Sequence, residues 1–479
     1  MVDSINWMEE VEKRKDDMIK DVQNFLRIKS VLNENEATEE TPLGLGIDQA
    51  LKFILNKGKD DGFNIKNVDG LAGHIEYGEG NDLVGILCHV DVVPEGDGWT
   101  SDPYSAEIRD GKIFARGAID DKGPTIAAYY ALKIVKELGV TLGKRVRIIL
   151  GTDEESNWRC VDHYFKNEEM PTIGFAPDAD FPIINAEKGI FDFMLEQSTG
   201  EQNESNEARV TLEKLQAGRR LNMVPDLAEA SISCETKEDA VQIKSMFEQC
   251  TKEAGLIGAA TIEDHSVHLR LEGISAHGME PNKGKNAGLL LIKFLNDKFL
   301  VRLDQQGSEF VQFVHTYFGQ DTRGKALGID FVDEVSGELT INNGTLTYLK
   351  KQGGEIGLNL RYPVSLDIQK SKEKIKQIAE NNHFTFKEFG DSKPHYVDGH
   401  HPLIQVLQKV YEEQTGEKAD LIAIGGGTYA RSLKAGVAFG PLFPGRPDVA
   451  HQKDEYIEIA DLLKATSIYA QAIYELAKN

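Results

Sequence analysis

Apolar side chains recur across residues 5–28 at Trp7, Met8, Val11, Met18, Ile19, Val22, Phe25 and Leu26, with charged residues between them. That spacing predicts an amphipathic helix with one face on a core. A second helix is expected over 47–59, ahead of Gly62. Residues 71–77 alternate as a strand does. Residues 83–87 form an unbroken apolar run rich in branched side chains, the mark of a strand covered on both faces. Short strands are expected again at 112–115, 145–150 and 173–176, and helices at 124–138 and 156–167. Pro124 suits a first helical turn. Strand and helix alternate through about residue 185, which predicts an α/β unit with a largely parallel sheet flanked by helices.

The pattern then changes. Strand-like stretches at 208–212, 229–234, 268–273, 338–343 and 355–360 are separated by helical ones at 238–253, 288–299 and 371–381. Such runs fit an inserted α+β domain. The α/β pattern resumes with helices at 402–415 and 459–477 around a glycine-rich loop. The expected organisation is one α/β domain in two segments, 1–187 and 396–479, interrupted by the insert 188–395. Residues 200–206 read as an exposed loop.

Composition narrows the function. A chain of 479 residues exceeds one compact domain, in keeping with that division. A net charge of −24 argues against nucleic acid and anionic membranes as partners. The start, Met1-Val2-Asp3-Ser4, lacks the basic and apolar regions of a signal peptide, and no run of about 18 apolar residues suggests a membrane span. Cys88, Cys160, Cys234 and Cys250 form no CxxC pair, so free thiols in a reducing cytoplasm are expected.

Candidate chemistry sits where the strands of the α/β unit end. His89/Asp91, Asp120/Asp121, Glu154/Glu155 and Asp178/Asp180 each follow an expected strand, with glycine or proline shaping the loop. Any one pair is ordinary turn chemistry. Four at strand exits point to convergence, because functional groups gather at the carboxyl edge of a parallel sheet. Converging carboxylates repel unless a cation stands between them. Histidine with carboxylates and no cysteine suits Zn²⁺, Mn²⁺ or Co²⁺ and suits Ca²⁺ poorly. More than three carboxylate ligands suggests two ions.

The order His89-x-Asp91, Asp120-Asp121-Lys122-Gly123, Glu154-Glu155, Asp178 and a late His451 resembles the dinuclear-metal hydrolases that include aminoacylases, carboxypeptidase G and bacterial dipeptidases. The likeness spans nearly the whole chain. Residues 116–124 and 151–156 carry its most specific motifs. The stretches 175–182 and 425–431, with the length of the insert, look most like the PepV type of dipeptidase. The resemblance implies that His89 and Asp178 hold one ion, Glu155 and His451 the other, and that Asp120 bridges them. It implies Asp91 as the partner that steadies His89. Glu154 becomes the general base, taking a proton from a water shared by the ions and passing it to the departing amine. It makes 1–187 and 396–479 the catalytic domain and 188–395 a lid that binds substrate. In that lid, His277 would donate to the oxyanion, while Asn222 and Arg361 would fix substrate ends. The loop of Gly426, Gly427 and Thr428 would present backbone N–H groups to a carboxylate.

The reading that follows is a cytoplasmic, monomeric metal-dependent dipeptidase acting on unblocked dipeptides. Zn²⁺ is the first choice of ion, with Mn²⁺ or Co²⁺ as alternatives. Two rivals stand beside it: a deacylase of N-acyl amino acids using the same centre, and a non-catalytic binding protein on the same scaffold.

Overall fold

The computed structural model describes residues 5–198, 209–319 and 321–478. These divide into two units: residues 1–186, 396–422 and 428–479 form the first, and 187–395 with 423–427 the second. The short piece 423–427 thus belongs with the insert rather than with the segment 396–479.

The first unit is built on a sheet whose centre is parallel. Leu83–His89 runs parallel to both Arg145–Gly151 and Ile173–Ala176, and the latter parallel to Gly436–Ala438. Ala72–Tyr77 and Asn64–Val68 add an antiparallel edge. Every residue of Leu83–His89 is buried, as its unbroken apolar run requires. The helices Lys122–Glu137 and Ile459–Ala477 pack on each other and over the sheet centre. Both are apolar on most sides, as helices inside a core must be.

The expected helix over 5–28 is two helices, Trp7–Glu12 and Lys15–Leu26. No apolar residue lies between Val11 and Met18, and Arg14 stands at the gap. Its guanidinium pairs with Glu137 at 2.7 Å rather than continuing the apolar stripe. The helix expected from residue 156 begins later, at Arg159–Asn167, because Trp158 adopts a left-handed backbone that a helix cannot include.

The second unit is an eight-stranded antiparallel sheet in the order Gly258–Glu263, Ser266–Glu272, Leu227–Cys234, Val210–Ala217, Thr340–Leu349, Gly353–Tyr362, Gly189–Gln197, Phe384–Ser392. The helices Lys237–Glu253, Ala287–Phe299, Gln305–Phe318 and Ile368–Asn381 complete it. Three of its strands and one helix escaped the hydrophobic pattern. Gly189–Gln197 carries large apolar groups on both faces, which hides its alternation. Gln305–Phe318 is rich in aromatics and has Gly307 in its first turn, both of which read against a helix. It forms because Asp304 caps it and because Phe310, Val311, Phe313, Val314 and Phe318 all enter the core. The loop expected at 200–206 and the start of the strand expected at 208 lie outside the described residues.

Candidate active site and metal centre

Parallel register places the candidate ligands. His89 sits opposite Gly151 across the sheet, so the loops after Leu83–His89 and Arg145–Gly151 leave side by side. Ile173–Ala176 flanks Leu83–His89 in the same direction and delivers Asp178 to the same edge. Asp120 arrives from the turn before Lys122–Glu137. Gly151 closes the floor of this edge: a Cβ there would lie 1.9 Å from the Tyr429 hydroxyl, and the Tyr429 ring stands edge-on to His89 at 5.9 Å.

His89 is fully buried, and its Nδ1 lies 3.0 Å from the main-chain oxygen of Asp91. A carbonyl oxygen only accepts, so Nδ1 carries a proton and Nε2 is the nitrogen turned to the cluster. Burial disfavours the ring's charge, but Asp178 and Asp120 raise its pKa well above the usual imidazole value. That Nε2 is buried and makes no hydrogen bond. It faces Asp120 Oδ1 at 3.0 Å and Asp178 Oδ1 at 3.6 Å. The other oxygen of Asp120, Oδ2, lies 3.0 Å from Nε2 of His451, and the same Nε2 is 3.0 Å from Glu155 Oε2. One carboxylate therefore divides its two oxygens between two histidines.

Two sets of ligand atoms lie within 4.8 Å of one another: His89, Glu154 and Asp178, and His89, Asp120 and Glu155. The donors are imidazole and carboxylate, without thiolate, a set that fits a borderline divalent ion. The protonation pattern fits as well. Burial pushes the Asp178 carboxyl up to about 6 and the Glu155 carboxyl up to about 7. Burial raises Glu154 too. Burial also opposes ionisation of Asp120, but the two histidines outweigh it and hold it below its usual range. Hydrogen bonds to Asp120 and Glu155 push His451 up to about 11. Acids that resist ionisation and a histidine that keeps its proton mark a place where a cation belongs.

Asp91 does more than steady His89. Its carboxylate accepts from the backbone N–H groups of Glu154 at 3.2 Å and Glu155 at 3.0 Å, so one residue orients the histidine through its carbonyl and the acidic pair through its side chain. Asp121 does not join the ligand groups; its Oδ2 accepts from the backbone of His89 at 3.0 Å. Asp178, not Asp180, enters the cluster. Cys88 is fully buried in its strand, where burial raises its thiol well above the usual value.

The second unit gathers its own candidates. The segments around Asn222 and His277 are laced together: Gly278 N donates to Asn222 O at 2.7 Å, and Val224 N to Ala276 O at 2.9 Å. A side chain at Gly278 would meet the Asn222 backbone at 2.9 Å, which is why a glycine follows His277. Met279 N donates to Nδ1 of His277 at 3.2 Å. Nδ1 therefore accepts, and the neutral ring carries its proton on Nε2. Partial burial and the charge of Arg361 hold His277 below its usual pKa. Arg361 is itself buried, with Nε donating to Asn359 Oδ1 at 2.8 Å and Nη1 to Gly425 O at 3.2 Å. Asn359 leans in turn on Asp192 at 2.5 Å. Gly426 is half-buried and Gly427 exposed. Thr428 belongs to the first unit, where its hydroxyl caps the turn Tyr429–Ser432, accepting from Ala430 N at 3.3 Å. Asp192, Asn359 and Tyr429 were not legible as site residues. Asp192 meets Asn359 from 167 residues away, and Tyr429, although inside the stretch 425–431, meets His89 only in the folded sheet edge.

A parallel-centred sheet with histidines and carboxylates converging at its carboxyl edge, joined to an inserted antiparallel unit, defines a class of hydrolases built for metal ions. The chain belongs to peptidase family M20/M25/M40, whose model matches residues 85–475. It is 59% identical over 474 residues to the Bacillus subtilis (strain 168) protein named "Putative dipeptidase YtjP", covering 99% of this chain and all of that one. Among solved structures, human carnosine dipeptidase 1 superposes with a TM-score of 0.55 at 14% identity, covering 98% of each chain. The aminoacylhistidine dipeptidase of Vibrio alginolyticus gives 0.56 at 13% identity, covering 96% of this chain and 97% of that one. These two likenesses concern the fold. The α/β class with an inserted α+β domain, expected from the sequence, is the observed one. Among the described residues, no helix is long and apolar enough to cross a membrane.

Proposed function

We propose that the protein is a metal-dependent dipeptidase that hydrolyses unblocked dipeptides. The observation that carries this reading is Asp120, whose two oxygens each face a different histidine at 3.0 Å. His89, Asp178 and Asp120 are assigned to one ion, and Asp120, Glu155 and His451 to the other. Two divalent ions bound there, zinc by first choice and manganese or cobalt otherwise, would supply an acidified water and polarise the scissile carbonyl.

The chain's own residues do the rest. Glu154 is the general base. Burial keeps its proton affinity high, which suits a group that must take a proton at neutral pH and return it to the leaving amine. Asp91 fixes both Glu154 and the His89 ring, so base and ligand keep a common frame. His277, neutral with its proton on Nε2, is suited to donate to the oxyanion. Arg361 offers a guanidinium for the substrate carboxylate, held in place by Asn359. Asn222, with the loop of Gly426, Gly427 and Thr428, is proposed to hold the remaining substrate polar groups. The first unit then serves as the catalytic domain and the second, 187–395 with 423–427, as the lid.

A panel of unblocked dipeptides against N-acetyl and N-succinyl amino acids tests the substrate class. Turnover of dipeptides is expected; turnover of acylated amino acids alone would make the protein a deacylase, and turnover of neither a binding protein. Arg361→Met is expected to raise KM for dipeptides about 10- to 100-fold, in line with the ~1.5–3 kcal/mol of a charged hydrogen bond, with a smaller effect on kcat. A parent-like KM would remove Arg361 from the substrate site. We further propose a monomer in a reducing cytoplasm, in keeping with four unpaired cysteines. Gel filtration is expected to give a mass near 53.2 kDa, and twice that value would contradict it.

A further inference from the structure

Four residues after His451 lies a carboxylate that no metal-ligand assignment uses. Glu455 is fully buried, and every acceptor position it offers is taken up by one loop. Its Oε2 lies 2.6 Å from Nη1 of Arg116 and accepts from Gly117 N at 3.0 Å. Its Oε1 accepts from Ile119 N at 2.9 Å and from Asp120 N at 3.2 Å. Its own carbonyl oxygen accepts from Ala115 N at 3.0 Å. The neighbouring acid, Asp454, accepts from Thr100 N at 2.8 Å and from the Thr100 hydroxyl at 2.9 Å. The segment 451–455 is therefore anchored on two sides, and its buried anchor grips the backbone of the residue that faces both histidines.

With its oxygens committed to four N–H donors, Glu455 is not a ligand. It joins two parts of the chain that must agree within a fraction of an ångström: the turn that presents Asp120 and the loop that presents His451. Those side chains meet at 3.0 Å. A buried carboxylate gathering four donors is rigid, because leaving any of them unpaired in the interior is unfavourable. We propose that Glu455 is a positioning residue that sets the separation of Asp120 and His451, and thereby the affinity of the ion assigned to Asp120, Glu155 and His451. The ion assigned to His89, Asp178 and Asp120 depends on it less, since only Asp120 of its three residues is gripped by Glu455, while His89 and Asp178 are set by strands of the sheet. The inference rests on the two-ion reading proposed above.

The test is a titration of Co²⁺ into the metal-stripped full-length protein, followed by the cobalt absorption bands, for the parent and Glu455→Gln. Glutamine keeps the shape but sets an amide N–H₂ against one of the two donor pairs, Arg116 with Gly117 or Ile119 with Asp120. The parent is expected to bind two equivalents. The variant, with unchanged far-UV circular dichroism, is expected to keep the affinity of one and to lose about 10- to 100-fold on the other, the usual effect of removing a group that orients a ligand. Both equivalents binding as in the parent would overturn the proposal, as would an equal loss on both, which general loosening would give. Should Glu455→Gln fail to fold, Glu455→Asp keeps the charge opposite Arg116 while falling one methylene short, and the same split is expected of it. A parent that takes up fewer than two equivalents overturns the two-ion reading itself, and that failure is recognised before any substitution is made.

Discussion

Glu154→Ala is expected to lower kcat for dipeptide hydrolysis by about 10²–10⁴-fold, the usual contribution of a positioned general acid–base. KM is expected to stay near the parent value, because the carboxylate acts on protons in flight rather than on bound substrate. Metal content decides between two roles for this residue. Its carboxylate shares a ligand-sized cluster with His89 and Asp178, so a direct metal role is the competing account. A variant that keeps both ions and loses turnover assigns Glu154 to proton transfer. One that loses an ion makes it a ligand, and one with full activity removes it from the mechanism.

Asp120→Asn should have the broadest effect of any single ligand change. The carboxylate is assigned to both ions, and its oxygens each face a histidine at 3.0 Å. Asparagine keeps the volume but removes the charge and places an amide nitrogen against one histidine. Several kcal/mol of charge stabilisation are supplied by ions in such centres, at ~1.4 kcal/mol per tenfold in rate, so a loss of about 10³-fold or more is expected. The same variant should lose most of the rise in melting temperature that added metal gives the parent, since a ligand stabilises only the state that binds it. Retained metal stabilisation with lost turnover would deny Asp120 its bridging place.

Much of the first unit could be read from the chain because its centre is fully buried. Leu83–His89 has no polar face, so its apolar run was unambiguous and the histidine at its end stood out. His89, Glu154, Glu155 and Asp178 were legible for the same reason, since parallel strands deliver the residues that follow them to one edge. Asp120 instead follows Lys112–Phe114, a strand of a separate antiparallel sheet, and with His451 was placed by the family resemblance. What one dimension hides is the use of the backbone. Asp91 sets its carboxylate 3.4 Å from His89 Nδ1, yet its carbonyl comes closer at 3.0 Å, and the same carboxylate accepts from the backbone of Glu154 and Glu155. Glu455 escaped notice altogether, because three of its partners are main-chain N–H groups more than three hundred residues away. In the second unit the losses were strands such as Gly189–Gln197, where apolar groups on both faces erase the alternation that a one-sided antiparallel strand should show.

The arrangement also accounts for the order of the chain. His89 and Asp178 are set by strand ends of one continuous segment, whereas His451 reaches Asp120 only after the whole insert has been made. The two ions proposed here thus differ in how much of the fold each requires, and the site is complete only when the last segment has packed.

The central claim is that dipeptide hydrolysis depends on two ions held by this cluster, and add-back to stripped protein tests it most directly. Protein dialysed against chelator is assayed on an unblocked dipeptide while Zn²⁺, Mn²⁺ or Co²⁺ is returned in measured equivalents. No turnover is expected without metal, with the full rate reached as the second equivalent is bound. Full turnover by the stripped protein, or a rate that saturates at one ion per chain, would contradict it.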